Sequence, residues 1–422
     1  MSETAANMEQ QLQEQITQAK ASCVQMAMLT AAKKNKALEL IERELLESMN
    51  DIIEANALDL EAARAADIPA ALIDRLTLNS ERIMGMAQGI RKVIGLKDPV
   101  GTVLDGWRHP NEMQITKVRV PLGVIGIIYE GRPNVTTDAV ALAIKSGNAV
   151  VLRGSQHAWN SNLAVMEVVK RALRQTDVPE TSVQYLMDKS RDSAKVMLRA
   201  EKEISLVIPR GGEALKKFVL SNSLVPVLGA GGGLCHVYID SEANTQSAID
   251  IALNAKTQRP GVCNACETIL VHKETAEMVL PRLVETLQAA RVEVLGDEEV
   301  EALSSSVTPA TEEDWSTEYL DLKVSIKVVD SLQEAIEHIN KYSTGHSDCI
   351  VTDNAKNADL FKRMVDSSSV YVNVSTRFTD GEEFGFGAEM GISTQRMHAR
   401  GPIGMNELCT YKYIIEGNGQ TR

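Results

Sequence analysis

The chain has 422 residues, 44% of them hydrophobic and 24% charged, which suits a water-soluble globular protein of two or three domains. Its 27 glycines, 12 prolines and 6 cysteines are too sparse for a collagen-like, low-complexity or disulfide-dense chain. Acidic side chains outnumber basic ones by 57 to 44, and the net charge of −13 repels a phosphate backbone, so nucleic acid is not expected as a partner.

The N-terminus, Met1-Ser2-Glu3-Thr4, is polar and acidic and has no basic n-region or apolar core, which argues against a secretory signal. The strongest apolar run, 120–129, is about half the ~20 residues a membrane helix needs. The cysteines form no secreted framework. A reduced, cytoplasmic chain without a membrane partner is therefore expected.

Residues 5–95 read as helices, because apolar residues in the stretch from Leu38 to Leu46 recur at i, i+3, i+4 and i+7 with charges between them. Residues 104–120 contain Asp105-Gly106, Pro110-Asn111 and an alternating Ile115 to Val120, which predicts a hairpin-like excursion. From 118 onward short Val/Ile-rich runs alternate with amphipathic stretches. Strands are expected at 124–129, 149–152, 183–186 and 204–208, with helices at 136–145, 161–174, 190–200 and from Gly212. A second series places strands at 268–271, 324–329, 349–352 and 370–374 and a helix around 355–365. The helix after 324–329 opens with a capping-box signature, Ser331-Leu332-Gln333-Glu334. Continuous apolar runs separated by helices predict two α/β domains with parallel-type sheets. Tyr411 to Ile415 reads as a terminal strand, and two strands outside the main sheets favour a homo-oligomer.

The chemistry-bearing candidates lie in loops. Gln258-Arg259-Pro260-Gly261-Val262-Cys263-Asn264-Ala265-Cys266 puts a cysteine between a helix and a strand. There it is either a thiolate nucleophile toward an acyl carbon or a buried structural thiol. A zinc site would need a second cysteine pair, and none is suitably spaced. Arg210-Gly211-Gly212-Glu213 follows a strand and opens a helix, which suits a phosphate on backbone N–H groups or a plain tight turn. Leu152-Arg153-Gly154-Ser155 offers a cation, a glycine and a hydroxyl to a nucleotide, or is an exposed loop. Gly229 to Gly233 is a glycine run without the Lys-Ser/Thr of a P-loop, and His346 is a lone loop histidine, more often structural than catalytic. No metal-binding signature stands out.

Four stretches together resemble the aldehyde dehydrogenase superfamily, and within it the γ-glutamyl phosphate reductase (glutamate-5-semialdehyde dehydrogenase) family. They are 121–134, ending Tyr129-Glu130-Gly131-Arg132-Pro133-Asn134; 258–265; 329–350; and 372–378. The third carries Ala335-Ile336, His338-Ile339, Tyr342-Ser343-Thr344, His346-Ser347-Asp348 and Ile350. The resemblance spans nearly the whole chain. It implies a nucleotide-binding domain at 1–260 interrupted by an arm at 102–121, a catalytic domain at 261–401, and a terminal arm strand at 402–422. The arm is expected to serve oligomerisation.

The resemblance makes Cys263 the nucleophile, with Cys266 the weaker candidate. Arg153, Gly154 and Ser155 match the nucleotide-ribose loop, Gly211 and Gly212 the pyrophosphate turn, and Glu318 the glutamate that holds the nicotinamide ribose. Asn134 becomes the side chain that steadies the oxyanion, although a gapless alignment brings Arg132 nearer that position. Arg377, with Ser375 and Thr376, lies in the substrate-anchoring loop, and Arg132 is the runner-up for the α-carboxylate. Val227 stands where hydrolytic relatives carry a glutamate base, so phosphate rather than water is the acyl partner. Gln156 stands where an acid usually binds the 2′-hydroxyl of NAD, which favours NADPH, with Arg153 a cation that could pair with a 2′-phosphate.

The implied activity is reduction of L-glutamyl 5-phosphate to L-glutamate 5-semialdehyde and phosphate through a cysteine thioester, in proline biosynthesis, with a glutamate 5-kinase as a candidate partner. The alternatives are a coenzyme A-dependent acylating dehydrogenase, a hydrolytic dehydrogenase, and a catalytically silent nucleotide-binding protein that kept the fold.

Overall fold

The uninterrupted apolar run at 124–129 becomes an inner strand of a parallel sheet. Val124–Tyr129 is buried at every position in the computed structural model. It pairs in parallel with Ala149–Arg153 on one side and Leu206–Arg210 on the other. Val183–Tyr185 extends the sheet beyond Ala149–Arg153. The structure describes residues 3–190, 192–229, 231–304 and 306–422. Met1, Ser2, Arg191 and Ala230, which entered the readings above, lie outside them.

The chain forms two compact units. The first takes Met1–Ala230, Gly385–Gly391 and Ile403–Arg422, and the second Gly231–Phe384 and Ile392–Pro402. The division expected between 260 and 261 thus falls inside the second unit, and 385–391 belong to the first. The reason is the strand Cys235–Ile239, which lies inside the second sheet between Cys266–His272 and Ser347–Val351. The sequence pattern hides this strand behind a polar residue. His236 is fully buried, and both its N–H and its Nδ1 meet Oδ1 of Asp348, at 2.8 and 2.9 Å.

In the first unit the helical reading of 5–95 resolves into Glu3–Met28, Ala31–Glu47, Met49–Ala65, Ala70–Leu76 and Ser80–Gly95. Leu12, Ile16 and Ala19 of the first helix pack on Val124, Ile128 and Val151 of the sheet together with Met197 and Leu198. Strand Leu206–Arg210 starts two residues later than expected and runs through Pro209, which its edge position tolerates. The strand order reverses at Val124–Tyr129, so its carboxyl end and that of Leu206–Arg210 flank a topological switch point, where open α/β sheets bind ligands. The hairpin Val103–Arg108 and Gln114–Pro121 and the strand Cys409–Glu416 join into one antiparallel sheet, with Cys409–Glu416 paired along its whole length.

The second unit holds seven parallel strands in the order Thr308–Pro309, Glu293–Gly296, Lys323–Val329, Cys266–His272, Cys235–Ile239, Ser347–Val351 and Ser369–Val372. One face is covered by Ala248, Ala252, Leu280 and Leu283, the other by Ile336, Ile339 and Phe361. Both faces being dry accounts for strands that read as continuous apolar runs. Ser331 caps helix Leu332–Tyr342 by accepting from Glu334 N, but Glu334 reaches back to the N–H of Asp330 at 2.8 Å, one residue short of a full capping box. Among the described residues no helix is long and apolar enough to cross a membrane.

One ion pair inside the second unit closes the loop that carries Cys263. Lys256 ends helix Thr245–Thr257, and its Nζ donates to Oε2 of Glu267 at 2.6 Å, both side chains being fully buried. Oε1 of Glu267 accepts the N–H of Leu320 at 3.2 Å. Burial pushes the Glu267 carboxyl up to about 7, against the pull of Lys256. Lys256→Ala strands a buried carboxyl and is expected to cost about 3–5 kcal/mol. The folded pKa of Glu267 lies above the unfolded value of ~4.3, so its ionisation opposes folding as pH rises. The loss should therefore grow above pH ~7 and shrink below it, which urea midpoints at pH 6 and pH 9 would check.

Candidate active site

Six of the expected residues of the first unit gather at the carboxyl edge of its sheet. Arg132 and Asn134 follow Val124–Tyr129, Gly154 and Ser155 follow Ala149–Arg153, and Gly211 and Gly212 follow Leu206–Arg210. Asn134 begins helix Asn134–Lys145, and its Nδ2 donates to Oδ2 of Asp138 at 3.2 Å. Burial raises the Asp138 carboxyl to about 6, although the Arg210 guanidinium pulls it down. Arg153 itself ends its strand. Its Nη2 donates to the carbonyl of Ser190 at 2.8 Å and its Nε to Oγ of Ser193 at 3.4 Å. Pairing with a 2′-phosphate would have to be shared with these bonds.

Gly154 is a glycine for packing reasons. A Cβ there would lie 2.3 Å from Nδ2 of Asn162 and 2.9 Å from the Tyr185 hydroxyl. Ser155 accepts the N–H of His157 at 3.2 Å. The Gly211-Gly212 turn opens helix Glu213–Asn222, as the sequence suggested. Its Gly212 N–H donates to Oε2 of Glu130 at 3.1 Å, and a Cβ at 211 would lie 2.4 Å from the same oxygen. An internal carboxylate therefore occupies the N–H group expected to meet a phosphate. Nothing in the sequence marks Glu130 for this role, because only the fold brings the ends of these two strands together.

In the second unit Cys263 is half-buried, in the loop between Thr245–Thr257 and Cys266–His272. Its carbonyl accepts the thiol of Cys235 at 3.2 Å. Gly233 packs directly on it, and a Cβ at 233 would fall 1.3 Å from that carbonyl oxygen. The Gly233 N–H donates to Oε1 of Glu318 at 2.7 Å, which seats the Glu318 carboxylate on the Gly232-Gly233 turn. The glycine run thus serves close approach, which its composition alone could not tell from flexibility.

The Cys263 loop is fastened to the turn that carries Ser375, Thr376 and Arg377. Nδ2 of Asn264 donates to the carbonyls of Arg377 at 3.2 Å and Thr379 at 2.9 Å, and Oγ1 of Thr376 donates to the carbonyl of Asn264 at 2.7 Å. Nε of Arg377 donates to Oε1 of Gln258 at 2.9 Å. Ser375 caps the turn by accepting the N–H of Arg377 at 3.3 Å. Nothing in the sequence marks Asn264 for this role beyond its position next to the cysteine.

Cys266 is fully buried, donates to the carbonyl of Thr268 at 3.2 Å, and has its thiol pushed far up by burial, which suits a structural thiol. His346 is also buried, and burial lowers it to about 4, so it is neutral near pH 7 and contacts Oγ of Ser347 through Nδ1 at 2.8 Å. Val227, in the first unit, forms a parallel bridge with Val207 and packs on the core.

The model of the aldehyde dehydrogenase family matches residues 1–318 and 324–414, so the chain belongs to that family. It is 52% identical over 405 residues to the γ-glutamyl phosphate reductase of Thermoanaerobacter sp. (strain X514), covering 96% of this chain and 98% of that one. It is 50% identical over 416 residues to the enzyme of the same name from Clostridium novyi (strain NT), covering 99% and 100%. The crystal structure of γ-glutamyl phosphate reductase from Thermotoga maritima matches with a TM-score of 0.96 at 49% identity, covering 97% of this chain and 99% of that one. Within the aldehyde dehydrogenase family the chain falls in the γ-glutamyl phosphate reductase group, which is a group of oxidoreductases.

Gly233→Ala must displace the main chain of Cys263, since no side chain can yield there. Misplacement on the scale of 1 Å costs roughly 100-fold in rate. That loss is expected in steady-state turnover, with an altered rate of Cys263 alkylation. Gly85→Ala, where a Cβ meets nothing within 4 Å, is the control and should leave both unchanged.

Proposed function

We propose that this chain reduces L-glutamyl 5-phosphate to L-glutamate 5-semialdehyde and phosphate, with NADPH as the electron donor and a thioester on Cys263, in proline biosynthesis. The observation that carries this reading is the fastening of the Cys263 loop to the Ser375–Arg377 turn, together with relatives named for the reaction. A nicotinamide dinucleotide is supported by the exposed Gly211-Gly212 turn at the switch point, whose N–H already bonds an anionic group. Arg153, Ser155, Gly211 and Gly212 are the proposed holders of its ribose and pyrophosphate, and Glu318 of the nicotinamide ribose. Residues 1–230 are accordingly proposed as the nucleotide-binding part, and the second unit as the catalytic part.

In this mechanism the Cys263 thiolate adds to the acyl carbon. Collapse of the adduct breaks the bond to the phosphate oxygen and leaves a thioester. NADPH, when bound, supplies the hydride that reduces it. The resulting thiohemiacetal collapses to the aldehyde and returns the thiolate. Asn134 is the proposed side-chain donor to each oxyanion, with the second N–H of its amide left over from the bond to Asp138. Losing one such donor costs about 3–4 kcal/mol of barrier. Arg377, steadied by Gln258, suits the α-carboxylate, since a guanidinium fork matches a carboxylate. Valine at 227 can activate no water, which preserves the thioester for reduction.

An acyl phosphate is a labile mixed anhydride, so a glutamate 5-kinase is the proposed supplier. The antiparallel sheet is the proposed oligomerisation arm, because it leaves Trp107, Tyr411, Tyr413 and Ile415 exposed. We place the homo-oligomer in the cytoplasm.

Cys263→Ala should abolish turnover while NADPH binding by fluorescence titration stays intact; near-normal reduction of the acyl phosphate by that variant would remove the covalent route. Cys266→Ala should retain most activity. Glu130→Gln removes a competing anion from the Gly212 N–H and is expected to tighten NADPH several-fold in the same titration, whereas weaker binding would make Glu130 a ligand of the cofactor.

A further inference from the structure

Arg377 spans the loop that carries Cys263. Its carbonyl accepts Nδ2 of Asn264, the residue after the cysteine, at 3.2 Å. Its Nε donates to Oε1 of Gln258, at the start of the loop, at 2.9 Å. Gln258 directly follows helix Thr245–Thr257, and its own N–H donates to the carbonyl of Asn254 at 3.2 Å. The amide that receives Nε is therefore carried on the end of a helix. The guanidinium is half-buried, which works against its charge. Its Nη1 and Nη2 make no hydrogen bond or ion pair among the described residues. One edge of the fork is thus held, and the group that holds it is neutral. Gln258 has the reach of a glutamate, and a carboxylate in its place would accept from the same guanidinium while cancelling its charge.

We infer that Gln258 is the positioning residue that sets this site's preference for a substrate bearing a carboxylate: its neutral amide holds the Arg377 guanidinium by Nε and leaves Nη1 and Nη2, with the charge uncancelled, for the α-carboxylate. The inference rests on the proposed function, in which Arg377 receives that carboxylate. Two other arrangements would each weaken the site. A guanidinium already paired with an internal carboxylate would have to give up that pair before the substrate could bind, and affinity would fall by the worth of the pair. A guanidinium with no fixed edge would keep its charge but lose the freedom of a long side chain on binding. Gln258 avoids both losses. The same device discriminates. A substrate without the carboxylate leaves the open edge of a half-buried cation without a partner, so it is disfavoured relative to one that fills the fork.

The test is NADP- and phosphate-dependent oxidation by the full chain of two aldehydes, the semialdehyde and 4-aminobutanal, in which hydrogen replaces the α-carboxylate. The quantity read is the ratio of their kcat/KM values. Gln258→Glu should lower that ratio about 3- to 10-fold through a raised KM for the semialdehyde, with its kcat within about two-fold of native. Gln258→Leu, which frees the guanidinium without adding charge, should lower it by no more than about two-fold. Arg377→Gln, which removes the cation, should lower it most. A native ratio in Gln258→Glu beside a lowered one in Arg377→Gln would overturn the role of Gln258 alone. An equal fall in Gln258→Leu and Gln258→Glu would make fixing rather than neutrality the function of Gln258, and a fall in kcat without a rise in KM would make it a fastener of the loop; either result overturns the inference. A native ratio in all three variants would remove Arg377 from the carboxylate and the inference with it. A native chain without phosphate-dependent turnover would instead bring down the proposed function itself.

Discussion

The buried pair Lys256 and Glu267 is the constraint on which the placement of the Cys263 loop depends. It joins the end of one helix to the start of the next strand, so the intervening residues must leave the core and return within a short span. Cys263 and Asn264 are carried on that excursion. The second oxygen of the same carboxylate holds the main chain of Leu320, two residues beyond Glu318. One interior carboxylate therefore sets the take-off and landing of the Cys263 loop and steadies the segment that carries Glu318. A pair of charges so far from water contributes little net stability over an apolar pair. Its value here is geometric.

The two units share a device. In each, a carboxylate sits on a glycine turn and accepts its N–H: Glu130 on Gly212 and Glu318 on Gly233. The surroundings give the two different meanings. Gly212 is open around its Cβ position, where nothing lies within 4 Å. Gly233 is pressed against the Cys263 carbonyl, so its carboxylate fixes the wall behind Cys263. Fastening of Asn264 to the 375–379 turn completes that wall, and it makes the Cys263 loop and the 375–379 turn a single mechanical piece.

How much of this could be read from the residues follows from the range of the interactions. Val124–Tyr129 was legible because a strand buried on both faces is apolar throughout. Cys235–Ile239 was not, because His236 interrupts the run and is satisfied only by Asp348, far along the chain. The place of Cys263 in a loop between a helix and a strand was legible, and the strand begins at Cys266. The reason for glycine at 154 was not, since Asn162 and Tyr185 reach it only in the folded sheet. Glu130 escaped notice for the same reason, and so did Asn264, whose partners are all carbonyls and hydroxyls of a distant turn.

The pairing of Cys409–Glu416 with Gln114–Pro121 has a bearing on how the chain is made. The inner strand of that sheet leaves the ribosome about 290 residues before its mate. At ordinary elongation rates of about 5–20 residues per second, the open edge of Gln114–Pro121 waits for tens of seconds while the rest of the molecule folds. During synthesis that edge is a sticky ribbon with only its hairpin neighbour for company, and a ribosome that stalls before Cys409–Glu416 would release a product ready to clump with its own kind.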